Sequence, residues 1–191
     1  MKTKILVLSI ICLFIIGLVI NGQINSNKVI DLILSAYSTR TFSEKPVGNN
    51  EIEQILKCGI KAPSARNSQP WKFTVVKDIS KVRHVFRSMN KGNVVIIVSG
   101  WEMKKEGINI DFDCALATEN MYLAAQSMGL GARIYTGPVN KIDAELKKIL
   151  QIPDEYRIVA LLRIGHLDNS VDAISSASPR QEMQDMVNYI E

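Results

Sequence analysis

The chain has 191 residues and a formal net charge of +4 at pH 7. That length supports one domain with a real core, and the charge excess is too small to argue for nucleic acid or an anionic membrane surface as a partner. Three cysteines without a CxxC pair, and two histidines far apart, supply no ligand set for a structural or catalytic zinc ion.

The N-terminus reads as a leader. Met1-Lys2-Thr3-Lys4 is basic, Ile5 to Ile20 is an uncharged apolar run, and Asn21-Gly22-Gln23 breaks it. This is the pattern of a secretory signal, short for a membrane span of about twenty residues. We expect residues 1–22 to be a signal peptide cleaved near Gly22, or else an N-terminal anchor through residues 5–20. Residues 23–191 then form one exported domain, periplasmic or secreted, which meets the membrane only if the leader is uncleaved. Lys2 and Lys4 before the apolar run favour a cytoplasmic N-terminus and an outside body in either case. Cys12 lies mid-run with Ile11 before it, so it is no lipidation site.

Lys28 to Tyr37 has an apolar stripe at Ile30, Ile33, Leu34 and Tyr37, and predicts a helix capped by Ser26 or Asn27. Tyr37-Ser38-Thr39-Arg40-Thr41-Phe42 follows. Two hydroxyls beside a guanidinium suit a phosphate, though a cation at a helix C-terminus is an equally simple reading. A second helix carries Ile52, Ile55, Leu56 and Ile60, with Asn49 or Asn50 as cap, and it must stop before Pro63. Then comes Ala62-Pro63-Ser64-Ala65-Arg66-Asn67-Ser68-Gln69-Pro70-Trp71. Two prolines forbid helix interior or central strand, leaving a stiff loop rich in short polar groups. Such a loop either faces a ligand or merely turns the chain.

Trp71 to Val76 predicts a strand, 80–89 a basic helix that includes a solvated His84, and Val94 to Val98 a fully buried strand. Trp101 to Gly107 is a charged connection. Asp111 to Met128 predicts the longest helix, apolar around most of its circumference and hence buried on several sides. Gly129 would end it in a left-handed cap. A short strand at 132–135, a helix at 141–150 and a strand at 157–163 follow. His166 falls in a loop, and an amphipathic helical tail runs from Pro179 with Met183, Met186, Val187 and Ile190 along one side. Cys58 and Cys114 lie in apolar helical surroundings and read as two buried thiols rather than a disulfide. Helices interrupting about four strands without strict alternation argue α+β, and no GxGxxG follows a strand.

Two motifs carry a family resemblance. Ser38-x-Arg40-x-Phe42 and the segment Ala62-Pro63-Ser64-x-x-Asn67-x-Gln69-Pro70-Trp71 resemble the paired signatures of the FMN-dependent nitroreductases. The likeness continues through Asp113–Ala125, Gly129-Leu130-Gly131, Ile164-Gly165-His166 and Ser178-Pro179-Arg180. It implies a mixed, mostly antiparallel sheet wrapped by helices, in an intertwined homodimer with FMN at the interface and both subunits contributing. Position by position, it implies that Arg40, Ser38 and Arg180 hold the FMN phosphate. Pro63, Ser64, Arg66, Asn67 and Gln69 would line the flavin, while Tyr135, Thr136 and Gly137 meet its N5 edge. The family often has a further basic residue at the position of Ala36 or Tyr37; this chain lacks it, and Arg66 is the candidate replacement. The implied activity passes electrons from NAD(P)H, by a ping-pong flavin cycle, to nitroaromatic, quinone or similar small acceptors. No catalytic side chain is required, because the flavin carries the chemistry. The alternative is an exported protein that binds flavin or another planar ligand without turnover.

Overall fold

The computed structural model describes residues 27–86, 88–101, 107–168, 170 and 179–190. The leader and the 102–106 connection lie outside the described residues, as do Arg87 and 171–178. The chain divides into two units, Met1–Ser35 and Ala36–Glu191. The described part of the first is helix α1, Lys28–Ser35, which ends two residues before the expected Tyr37. Asn27 Oδ1 accepts from the Val29 amide at 3.1 Å, as a cap should.

The second unit is an antiparallel four-stranded sheet flanked by helices. Its strands are β1 (Trp71–Val76), β2 (Val94–Trp101), β3 (Leu130–Tyr135) and β4 (Tyr156–His166), in the order β1-β2-β4-β3. Every pairing among the described strands is antiparallel, in keeping with the mostly antiparallel sheet expected. The interior strands β2 and β4 hold the longest apolar runs, Val94–Val98 and Ala160–Leu162, which are buried on both faces. Each such isoleucine or leucine stabilises the fold by roughly 1.5–3 kcal/mol.

One sheet face presents Val94, Ile96, Val98, Ala132, Leu162 and Ile164. Helices α2 (Asn49–Ile60) and α3 (Ile110–Ser127) cover it through Ile52, Ile55, Cys114, Met121, Tyr122 and Ala125. The other face presents Val95, Ile97 and Leu161 to Val76, Val82, Val85, Phe86 and the short helix α4, Ala144–Ile149.

Several boundaries differ from the sequence reading. Helix α2 is capped by Gly48, not an asparagine, and Glu51 accepts from the Gly48 amide at 2.6 Å. The basic helix expected over 80–89 is a 3-10 turn, Ile79–Val82, followed by irregular turns. Val82 and Val85 are both buried, and their three-residue spacing matches a 3-10 turn rather than α geometry. The 141–150 helix is split into a 3-10 turn, Gly137–Lys141, and α4, whose start Asp143 caps by accepting from the Leu146 amide at 2.8 Å. His166 is the last residue of β4 rather than a loop residue. The tail contains one helical turn, α5 (Met183–Met186), not a long amphipathic helix.

Helix α3 buries one face, Asp113, Cys114, Ala117, Thr118, Met121, Tyr122 and Ala125, rather than several. Phe112 remains 63% exposed on the other side. Cys58 and Cys114 are free thiols, as expected, with Cys114 buried and Cys58 half-buried. Burial, with Asp111 and Asp113 nearby, pushes the Cys114 thiol up to about 12. Among the described residues no helix is long and apolar enough to cross a membrane.

Candidate functional site

The Ser38–Arg40 motif is built by its own alternation. Thr39 is 1% exposed, while Ser38 and Arg40 turn outward. The Thr39 amide donates to the Ala132 carbonyl at 3.0 Å, and the Ala132 amide donates to Thr39 Oγ1 at 3.2 Å. The segment is thereby stitched to β3, at one edge of the sheet. Phe42 is buried and bridges to Leu167 beyond the end of β4. The reading of this segment as a simple helix end fails, since α1 has already stopped at Ser35.

Arg40 opens onto a cleft of about 390 Å³ on the second sheet face. Its walls are Val85, Phe86, Ser88, Tyr135, Gly137 and Pro138, and its other lining groups are Arg133, Lys141 and Arg163. Among the described residues, Arg40, Arg133, Lys141 and Arg163 are its charged lining groups. Arg133 and Arg163 are directly opposed in the β3–β4 register, an arrangement that like charges disfavour.

Arg163 is 3% exposed and is held by neutral groups. It donates to Asn93 Oδ1 at 2.8 and 2.6 Å, to the Ser88 carbonyl at 2.9 Å and to Asn90 Oδ1 at 3.3 Å, with its guanidinium 4.2 Å over the Phe42 ring. Burial holds Arg163 below the usual arginine range, and Arg133 pushes the same way, while the Tyr135 hydroxyl opposes them. Arg133 lies 4.8 Å over the Tyr135 ring, which meets Phe86 edge-on at 5.1 Å. The cleft therefore offers aromatic walls and a concentration of positive charge. An anion at 4 Å from one such cation would gain about 4 kcal/mol at an effective dielectric of 20.

The proline-bracketed loop lies elsewhere. It leads into β1, the opposite edge of the sheet, three strand spacings or roughly 14 Å from β3. A 3-10 turn at Ala65–Asn67 shapes it, and Arg66, Asn67 and Gln69 all adopt left-handed backbone angles, with φ of 54°, 52° and 46°. The Ser64 hydroxyl braces the loop by accepting from the Gln69 amide at 3.0 Å, and Gln69 Nε2 donates to Asn67 Oδ1 at 3.2 Å. Arg66, Asn67 and Gln69 are exposed. The loop is fastened to the body by Asp113 of α3, which is 2% exposed. Its carboxylate accepts from the Ala65 amide at 3.1 Å and from the Ser68 hydroxyl at 3.3 Å. Our sequence reading gave Asp113 no role; an acid in the first turn on a mostly apolar helix face was the available signal.

Of the sequence-derived residues, a single chain thus brings together Arg40, Tyr135 and Gly137. Ser38, Thr136, Arg180 and the loop residues Pro63, Ser64, Arg66, Asn67 and Gln69 are not among the residues lining the cleft. Thr136 is exposed beside it at the end of β3, and Arg180 is exposed in the 179–190 segment. Within a single chain Arg66 is not beside Arg40. It lies at the far edge near Gly107, while Arg133, Lys141 and Arg163 line the cleft with Arg40.

A sequence model of the nitroreductase family matches residues 33–95 and 87–166, more than half of the chain. The chain belongs to the nitroreductase family. This nitroreductase is 28% identical over 155 residues to an Archaeoglobus fulgidus protein provisionally named an NADH dehydrogenase/NAD(P)H nitroreductase. That match covers 76% of this chain and 88% of that protein. It is 26% identical over 185 residues to the FMN reductase (NADPH) of Bacillus subtilis, covering 83% and 72% of the two chains. A Bacteroides fragilis nitroreductase solved with bound FMN shares the fold, with a TM-score of 0.73 over 87% of this chain and 100% of that one at 20% identity. The α+β assignment therefore stands.

The residues of the cleft suit FMN: Arg40, Arg133, Lys141 and Arg163 for the phosphate, aromatic faces for a planar ring, and the Gly137 backbone at the rim.

Proposed function

We propose that this nitroreductase is an FMN-dependent NAD(P)H oxidoreductase acting on nitroaromatic, quinone or similar electron-poor acceptors. The observation that carries this reading is the Arg40 cleft, which Arg133, Lys141, Arg163, Tyr135 and Phe86 also line. Bound FMN would supply two-electron chemistry, accepting from NAD(P)H and giving to the acceptor in separate half-cycles of a ping-pong scheme.

The protein's own groups bind and orient. Arg40, with Ser38 and Arg180, holds the phosphate, and Arg133, Lys141 and Arg163 add positive charge around it. Tyr135 and Phe86 wall the ring. The backbone at Thr136–Gly137 faces its N5 edge, where oriented amide dipoles favour the negative charge that reduction brings.

Pro63, Ser64, Arg66, Asn67 and Gln69 reach the same flavin from a second copy of the chain. Two observations support such a homodimer. The loop and the cleft occupy opposite sheet edges of one protomer. The tail also exposes Met183, Met186, Val187, Tyr189 and Ile190, an apolar set that wants a partner. The leader of residues 1–22 places this domain outside the cytoplasm, cleaved or anchored.

The test is anaerobic titration of the flavin-loaded protein with NADPH and NADH, followed by flavin absorbance. Bleaching by either nucleotide, with colour restored by a nitroaromatic or quinone, is expected. A flavin that stays oxidised would favour a ligand-binding protein without turnover.

A further inference from the structure

We propose that Asp113 is the positioning residue of the Pro63–Gln69 loop, fixing from helix α3 the conformation in which that loop presents Arg66, Asn67 and Gln69 to the flavin. The inference rests on the reading that this loop lines FMN, and its mechanical half stands on the structure alone.

The loop is costly to hold. Three non-glycine residues in the left-handed region, Arg66, Asn67 and Gln69, each cost on the order of 1–2 kcal/mol. Strain of that kind persists only where the surroundings enforce it. The bonds inside the loop close its turns: the Asn67 amide to the Ser64 carbonyl, the Ser68 amide to the Ala65 carbonyl, and the Gln69 amide to the Ser64 hydroxyl. None of these attaches it to the body. At its end the Trp101 amide donates to the Pro70 carbonyl at 2.9 Å, which anchors the exit but not the strained turn. The strained turn is anchored by Asp113.

Both Asp113 oxygens are used. Oδ1 accepts from the Ala65 amide at 3.1 Å, and Oδ2 from the same amide at 3.3 Å and the Ser68 hydroxyl at 3.3 Å. Among the described residues no cation pairs with this buried carboxylate. An unpaired buried carboxylate costs several kcal/mol unless hydrogen bonds satisfy it, and here the donors that satisfy it all come from the loop. Hydrogen bonds to an ionised acceptor are about twice as strong as neutral ones, which makes the clamp stiff.

The place of Asp113 is itself fixed from the sheet. A Cβ on Gly100 of β2 would lie 2.2 Å from Ile110 Cγ2 and 3.0 Å from Cys114 Sγ. The bare Gly100 backbone therefore lets the first turns of α3 settle on β2. Sheet, helix, carboxylate and loop form one rigid sequence, and a loop ordered in advance binds its ligand without an ordering cost.

The experiment compares the wild-type chain with Asp113→Ala, Asp113→Asn and Ser68→Ala. It measures hydrogen exchange of the 64–69 amides and the FMN dissociation constant of the folded protein. Asp113→Ala should speed exchange throughout 64–69 and weaken FMN binding at least about tenfold with the helical circular dichroism unchanged. Asp113→Asn keeps an acceptor for the Ala65 amide and should stay within about threefold. Exchange at 64–69 and FMN affinity both unchanged in Asp113→Ala would overturn the inference, as would a loss of thermal stability with wild-type affinity. Should Asp113→Ala not fold, Ser68→Ala removes one donor without touching the helix. It should raise exchange at 64–69 and the dissociation constant about threefold, and wild-type values in both would equally overturn the role. Wild-type protein that takes no FMN would sink the flavin assignment instead, and the exchange comparison would still decide on Asp113.

Discussion

Gly131→Ala tests how the Arg40 motif is held in place. A Cβ on Gly131 would lie 2.7 Å from Thr39 Cγ2 and 2.9 Å from Thr39 Oγ1, and also 2.9 Å from the tip of Leu167. The leucine tip can rotate away. Thr39 cannot, because it is 1% exposed and joined to Ala132 by two hydrogen bonds. Overpacking costs about 1–3 kcal/mol, and weakening the Thr39–Ala132 bonds adds about 1 kcal/mol. We therefore expect a loss of about 2–4 kcal/mol, read from urea unfolding. Thr39→Ala alone leaves the Ala132 amide without its acceptor and should cost about 1–3 kcal/mol. The double variant removes both clashing atoms, so its loss should fall short of the sum by at least about 1 kcal/mol. Gly131→Ala should also weaken FMN binding, since Arg40 is the next residue. Strictly additive losses, or a fully stable Gly131→Ala protein, would refute the stitching of this segment to β3.

Two other outcomes follow from the fold. An unfolded thiol ionises near 9, whereas native Cys114 stays protonated to about 12, so the native state binds the extra proton in that window and stability falls as pH rises through it. Between pH 9 and 10 the wild type should lose about 1 kcal/mol more than Cys114→Ala in urea unfolding, and parallel losses would contradict the burial of this thiol. Light scattering of residues 23–191 should give the mass of a dimer; a monomer that still binds FMN tightly would remove the second copy from the site.

Much of the scaffold was legible because β-branched and apolar runs leave few alternatives. Trp71–Val76 is a strand at the expected boundaries, and the central position of Val94–Val98 followed from its unbroken apolarity. The 80–89 stretch misled, because its composition suits a helix while Val82, Val85 and Phe86 are drawn into the core at a spacing that breaks one. The motif residues 38–40 and 63–69 were visible as unusual polar clusters, yet their separation across the sheet depends on strand order, which no local pattern encodes. Arg133 and Arg163 stayed hidden for the same reason. Each sits in an ordinary strand, and only the β3–β4 register sets them opposite one another. Asp113 looked like a helix residue until the fold carried it to the loop.

The most direct measurement is a fluorescence titration of the apoprotein with FMN, in the wild type and in Arg40→Ala. A basic cleft that holds the cofactor phosphate predicts one FMN per chain, with binding weakened by about 1.5–3 kcal/mol in the variant. Equal affinity in the two proteins, or no binding in the wild type, would contradict the assignment of this cleft.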